Sequence, residues 1–189
     1  WMSYLMIQDI EGHTQAAIAK LPFDFRTGIM RARVNPKDGQ VYATGLQGWN
    51  GGGRAGLLAG GLQRVRYTGK PWKMVTECKV EKDGLLLRFN FPLEPDSATT
   101  PEAYQAEHWN YHWRSSYGSD RYSPLTDKPG TEPIQIESVT LGSDGRSVKL
   151  NVRKMIPVDQ AHIKIRIKAV DGTDFADELY WTINHVPSR

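Results

Sequence analysis

Cysteine is nearly absent: Cys78 is the single one. That excludes an internal disulfide, a CxxC redox pair, a thiolate zinc site and the CxxCH haem attachment motif. Long apolar runs are missing too. The opening stretch WMSYLMIQDIEG has no basic leader, and its apolar run is too short and interrupted for a signal peptide or membrane span. Charge of one sign does not dominate. Lys and Arg number 24 against 21 Asp and Glu, a net charge of +3. This mild excess permits contact with acidic polymers but lacks the dense basic runs of a nucleic-acid binder. No long helical period, internal repeat or low-complexity segment is visible. Neither is a Ser-His-Asp order, a nucleophile elbow or a Walker loop. A chain that starts at Trp1 instead of Met reads as a piece of something longer.

What is there is period-2 alternation punctuated by turn dipeptides. Asp-Gly occurs at Asp38-Gly39, Asp83-Gly84, Asp144-Gly145 and Asp171-Gly172, a strong hairpin signal between alternating runs. Four strands show clear inward faces. They are Leu85, Leu87, Phe89 and Phe91; Val148, Leu150 and Val152; Ile163, Ile165 and Ile167; and Leu179, Trp181 and Ile183. From about Met74 onward the pattern is that of an antiparallel sandwich. The first seventy residues hold four short strand-like runs, YLMIQDI, QAAIAKLPF, GIMRARVNPKDGQVYATGL and LQRVRYTG. They suit one four-stranded, blade-like sheet. The expected fold is therefore all-β: a blade-like sheet over 1–72, followed by an Ig-like β-sandwich over 73–189.

The densest stretch is Ala103 to Tyr122, AYQAEHWNYHWRSSYGSDRY, which holds two of the six Trp. As a strand it places Trp109, Tyr111 and Trp113 on one face and His108, Asn110 and His112 on the other. The aromatic row reads as core, because a sandwich needs a large inner face. Tyr117 and Tyr122 fall in a segment rich in Ser, Gly and Asp, and Trp49-Asn50 borders a glycine loop. Aromatic rings beside Asn and Asp can stack on sugars while the polar groups bond hydroxyls. Trp49, Asn50, Trp113, Tyr117, Asp120 and Tyr122 are thus the candidate ligand-binding residues, with carbohydrate as the expected ligand.

Other patterns carry less. Gly51, Gly53 and Gly56 match GxGxxG formally, without the flanking strand and helix that a dinucleotide fingerprint needs. They read as a loop, and no cofactor is expected. His108 and His112 are the candidate metal ligands, although a strand would hold them roughly 13 Å apart. His162, Lys164, Arg166 and Lys168 form an outward basic row, expected beside Lys149 and Arg153. It reads as a solvated face, with an acidic polysaccharide or an acidic partner domain as the sharper alternative. No catalytic residue is nominated.

Two blocks carry a resemblance. GIMRARVNPKDGQVYATGLQGW (Gly28 to Trp49) with LQRVRYTGKP (Leu62 to Pro71) resembles the last blade of sorbosone-dehydrogenase-like β-propellers. Those are membrane-bound dehydrogenases of planctomycete and verrucomicrobial type, often joined to c-type haem domains. The second block includes FPLEPDSATTPEAYQAEHWNYHW, VTLGSDGRSVKLNV and IKAVDGTDFADELYWTI. It resembles the Ig-like module that follows that propeller. The resemblance implies a secreted or periplasmic protein and a C-terminal region without the enzyme's own site, since a closed propeller needs at least four blades. Together with the ring-bearing loops, it makes the first reading a non-catalytic binding or assembly module whose expected partners are polysaccharide or parent enzyme domains. A second reading is a fragment of a quinoprotein-type sugar dehydrogenase whose active site lies in the missing blades. A third, from the residues alone, is a small His-based metalloprotein. Nucleic acid and a membrane span are not expected.

Overall fold

The structure, a computed structural model, describes residues 2–47 and 55–188. The described residues are all-β, with fourteen strands in three antiparallel sheets. In chain order the strands are β1 (Ser3–Ile10), β2 (His13–Lys20), β3 (Gly28–Val34), β4 (Val41–Leu46) and β5 (Gly60–Val65). Then come β6 (Val75–Glu81), β7 (Gly84–Phe89), β8 (Tyr104–Tyr111), β9 (Arg121–Tyr122) and β10 (Glu132–Ile134). The last four are β11 (Ile136–Leu141), β12 (Ser147–Val152), β13 (Val158–Lys168) and β14 (Asp174–Ile183). One short helix, α1 (Pro95–Ala98), starts at Glu94, whose carboxylate accepts from the Asp96 and Ser97 amides. That satisfies two of the donors a helix start leaves open.

The chain forms two compact units, Ser3–Lys20 with Lys73–Arg189, and Leu21–Trp72 with the first two residues. The first is a sandwich. Its larger sheet runs β1-β2-β14-β13-β8-β10, with β9 pairing the far end of β8, and its smaller sheet runs β11-β12-β7-β6. One continuous core joins them, with Leu85, Leu87, Val148 and Leu150 from the small sheet and Ile163, Ile165, Leu179 and Trp181 from the large one. The alternation read from the sequence is the burial pattern observed on β7, β12, β13 and β14.

The second unit holds the third sheet, β3-β4-β5. It has three strands, not four, because the β1–β2 hairpin pairs with β14 instead, with Leu179 opposite Ala19 and Trp181 opposite Ala17. The physical reason is size matching. Ala17 and Ala19 leave room on the inner face for the bulky Leu179 and Trp181, and Met6 and Ile10 join the same core. The long run from Gly28 to Leu46 is itself a hairpin, turning at Asp38-Gly39 with Gly39 at φ 66°.

All four Asp-Gly dipeptides lie at hairpins. At Asp83-Gly84 the glycine has a different role from the one its turn signal implies. Gly84 is already in β7, and a Cβ there would sit 2.1 Å from the Leu150 carbonyl oxygen. Close approach to β12, and not a positive φ, excludes a side chain.

Candidate functional site

The hairpin that joins β8 to β9 carries most of the predicted ligand residues. Its connecting loop is pinned by its own side chains. Arg114 Nε donates to the Gly118 carbonyl at 2.7 Å, and Nη1 reaches Asp120 Oδ2 at 3.3 Å. The His112 amide donates to Ser119 Oγ at 2.9 Å, and the Tyr111 amide to Asp159 Oδ2 at 2.8 Å. On this frame Trp113 and Tyr117 are wholly exposed, at 102% and 106% of their reference areas. Asp120 lies beside them, engaged by Arg114. Tyr122 is half-buried, with the His112 ring stacked on it at 3.6 Å and His112 Nε2 bonded to Asp127 Oδ1 at 2.6 Å. Trp113, Tyr117, Asp120 and Tyr122 thus share one hairpin. Trp49 and Asn50 lie outside the described residues.

The aromatic row does not behave as one core face. Trp109, Tyr111 and Trp113 go from buried through half-exposed to fully exposed. Trp109 is 1% exposed, yet it lies outside the sandwich core. Ala106 of β8 faces Ile163 of the core, so Glu107 and Trp109, one and three residues on, share the outer face. There the Arg121 guanidinium covers the indole at 4.0 Å and Tyr111 meets it edge-on.

The polar row is corrected likewise. His108 points inward and is buried, opposite Ala161, and loss of solvation pulls its pKa down. Asn110 accepts from the Asp159 amide, while His112 lies past the strand end. His108 and His112 thus lie in different settings, one inside the sandwich and one beyond the end of β8, and among the described residues no three His, Cys, Asp or Glu are placed to hold a metal ion. Cys78 is buried and its thiol is pushed up to about 12, so it has little thiolate to offer.

The basic row is also revised. Lys164, Arg166 and Lys168 are exposed, but Glu178 and Asp174 of β14 stand directly opposite Lys164 and Lys168. Acidic cross-strand neighbours offset the row's charge. Lys149 belongs to the other sheet, where it bonds Asp83 at 2.7 Å and Glu81 at 3.0 Å.

His162 takes the outward place its parity predicts, but it is not solvated there. It is 6% exposed, although it faces outward on β13. Its Nε2 lies 3.1 Å from Glu178 Oε2 and its Nδ1 3.5 Å from Glu107 Oε1, and Tyr180 stacks on the ring at 4.3 Å. Thr131 donates to Glu107 Oε2 at 2.8 Å, and Arg121 stands 3.7 Å from Oε1. Burial raises the Glu107 carboxyl, but Thr131, His162 and Arg121 outweigh it and hold it below its usual range. Beside this cluster is a cleft of about 300 Å³ lined by Gln105, Glu107, Thr131, His162 and Lys164. Donors and acceptors converge on one small hollow, an arrangement that suits hydroxyl-bearing groups. The available signal was the shared outward parity of Glu107, His162 and Tyr180, but only strand register brings the three into one row.

No helix among the described residues is long and apolar enough to cross a membrane. Compared with protein-family models, with curated proteins and with solved structures, the chain matches none of them.

Proposed function

We propose that this chain is a non-catalytic binding and assembly module of a secreted, oxidoreductase-like protein, and that its ligand is carbohydrate. The observation that carries this is the pair of bare rings, Trp113 and Tyr117, on a loop held by Arg114. Leaving a large apolar side chain in water forgoes about 1.5–3 kcal/mol of burial. A pyranose face laid on such a ring recovers part of that, while Asp120 and Arg114 supply partners for its hydroxyls. The pinned loop lowers the ordering cost of binding. The polar cleft at His162 extends the same chemistry along the outer face of β8. The assembly part of the reading draws on the small sheet, where Met30, Val34, Leu46 and Leu62 stand exposed, as in a blade without its neighbours.

Affinity electrophoresis against neutral and acidic polysaccharides tests the reading. At least one polymer is expected to retard the chain. Trp113→Ala and Tyr117→Ala are each expected to weaken that retardation about tenfold, near 1.4 kcal/mol, with an unchanged far-UV spectrum. Equal retardation of wild type and both variants, or no retardation by any polymer, overturns it.

A further inference from the structure

The sheets of the sandwich have several edges, and nearly all carry a device that discourages strand addition. β10 is three residues long and contains Pro133, and β9 is only two. β11 has a bulge between Ile136 and Ser138. β6 has a bulge between Val75 and Glu77 and is covered at Val80, whose N–H and C=O both bond the Gln8 side chain, at 2.8 and 3.0 Å.

The remaining edge, β1, has none of these. Its sequence SYLMIQDI contains no Pro, Lys or Gly and one charge, and it pairs β2 without a break over all eight positions. The β1–β2 turn is two residues, with Glu11 at φ 48° and Gly12 at φ 83°. In such a hairpin the pair flanking the loop is hydrogen-bonded and the pattern then alternates. Ile10, Gln8, Met6 and Tyr4 therefore spend their backbone groups on β2. Those of Ser3, Leu5, Ile7 and Asp9 point away from the sheet. The side chains of Leu5 and Ile7 are also bare on the outer face, at 52% and 62% exposure, with Ile18 beside Leu5.

We propose that β1 pairs antiparallel with β1 of a second copy of this chain, about a two-fold axis through Met6. Self-pairing requires that outward-pointing positions meet outward-pointing positions, so the axis must pass through a residue and not between two. Centred on Met6, Ser3 to Asp9 overlap in full and Ile10 alone of β1 is left over. Leu5 meets Ile7 of the second copy, Ser3 meets Asp9, and Tyr4 meets Gln8. No like charges oppose each other, and the lone carboxylate faces a hydroxyl. Centring on Ile7 would place Asp9 against Leu5, and centring on Leu5 would leave Gln8, Asp9 and Ile10 without partners in β1. The Met6 register adds about eight backbone hydrogen bonds and covers the two exposed aliphatic side chains of each strand. A heterologous strand gains no such symmetric matching, which is why the second copy is the occupant.

Sedimentation equilibrium of the full chain over about a hundredfold concentration range tests this, since a dimer follows mass action. Wild type is expected to approach twice 21.3 kDa. Ile7→Pro deletes an outward-pointing donor and no β1–β2 bond. It is expected to stay monomeric, as is Leu5→Lys, which keeps every backbone group and serves if the proline variant misfolds. A mixture of Leu5→Cys and Ile7→Cys chains should form a disulfide several-fold faster than either alone, because that narrow pair brings Cα atoms to about 5.5 Å. A wild type that remains at 21.3 kDa, or a dimer that survives both Ile7→Pro and Leu5→Lys, overturns the proposal. Equal cross-linking in mixed and single samples overturns the register.

Discussion

The sandwich and the three-stranded sheet are built from the same kind of strand, yet only one of them has a core. Leu85, Leu87, Val148, Leu150, Ile163 and Leu179 are all essentially inaccessible in the sandwich. In the small unit only Phe25, Thr27 and Ala43 are buried among the described residues, and Leu62 and Val34 are largely exposed. Alternation makes a sheet with two faces, and it takes a second layer to turn one face into an interior. The sandwich supplies that layer to itself. The small sheet, taken alone, does not.

The sharpest way to break this comparison uses two glycines with the same constraint. A Cβ at Gly84 would lie 2.1 Å from the Leu150 oxygen, and one at Gly45 would lie 1.7 Å from the Gly28 oxygen. Gly84→Ala is expected to destabilise the sandwich by about 3 kcal/mol or more and to weaken the near-UV signal of Trp109 and Trp181. Gly45→Ala is expected to disturb β3–β4 while leaving that signal intact. If both substitutions shift one shared unfolding transition equally, the two units fold as one and the contrast fails. Next in size is truncation of leucine. Leu87→Ala should cost about 2–5 kcal/mol in urea unfolding, against roughly 0.5 or less for Leu62→Ala.

The inward residues of β7, β12, β13 and β14 were legible in the sequence because a half-buried strand writes its own face into every second position. Sheet membership was not. Nothing in YLMIQDI or QAAIAKLPF says that Ala17 will sit against Trp181, since that contact depends on register with a strand more than 160 residues away. His162 was hidden for a similar reason. Its parity correctly marks it as outward, but Tyr180 from β14 and Glu107 from β8 roof it over, and neither is near it in sequence. Trp109 repeats the lesson, buried by an arginine across a hairpin instead of by the core. The candidate loop was more readable, because Trp113, Tyr117 and Asp120 are close in sequence and the turn residues around them are local.

A smaller contrast concerns hydroxyls. Tyr104 donates to the Ala98 carbonyl at 2.8 Å inside the sandwich, and Tyr42 donates to Asp38 Oδ2 at 2.9 Å on the exposed sheet. Tyr104→Phe strands a buried acceptor and should cost about 1–3 kcal/mol, measured by thermal or urea unfolding. Tyr42→Phe returns its partner to water and should fall near zero, within about 0.5 kcal/mol.

The smallest effect appears only in acid. Glu11, at the β1–β2 turn, accepts from the Ser188 hydroxyl and amide and from His185, which lower its pKa from 4.5 to about 2. Asp38, at the β3–β4 turn, is lowered chiefly by the Gln40 amide, a bond made within its own turn. A carboxylate whose folded pKa is depressed adds stability that is complete above its unfolded pKa and is lost as pH falls through the folded one. For Glu11 that window runs from 4.5 down to about 2. The Tm of wild type minus that of Glu11→Gln should hence be positive and constant above the window, then shrink toward zero across it. Asp38→Asn should leave the acid unfolding of the sandwich unmoved, because its bonds tie together no distant segments, whereas Glu11 fastens the C-terminal segment to the first hairpin. A difference for Glu11→Gln that grows as pH falls would reverse the sign and remove that fastening from the account.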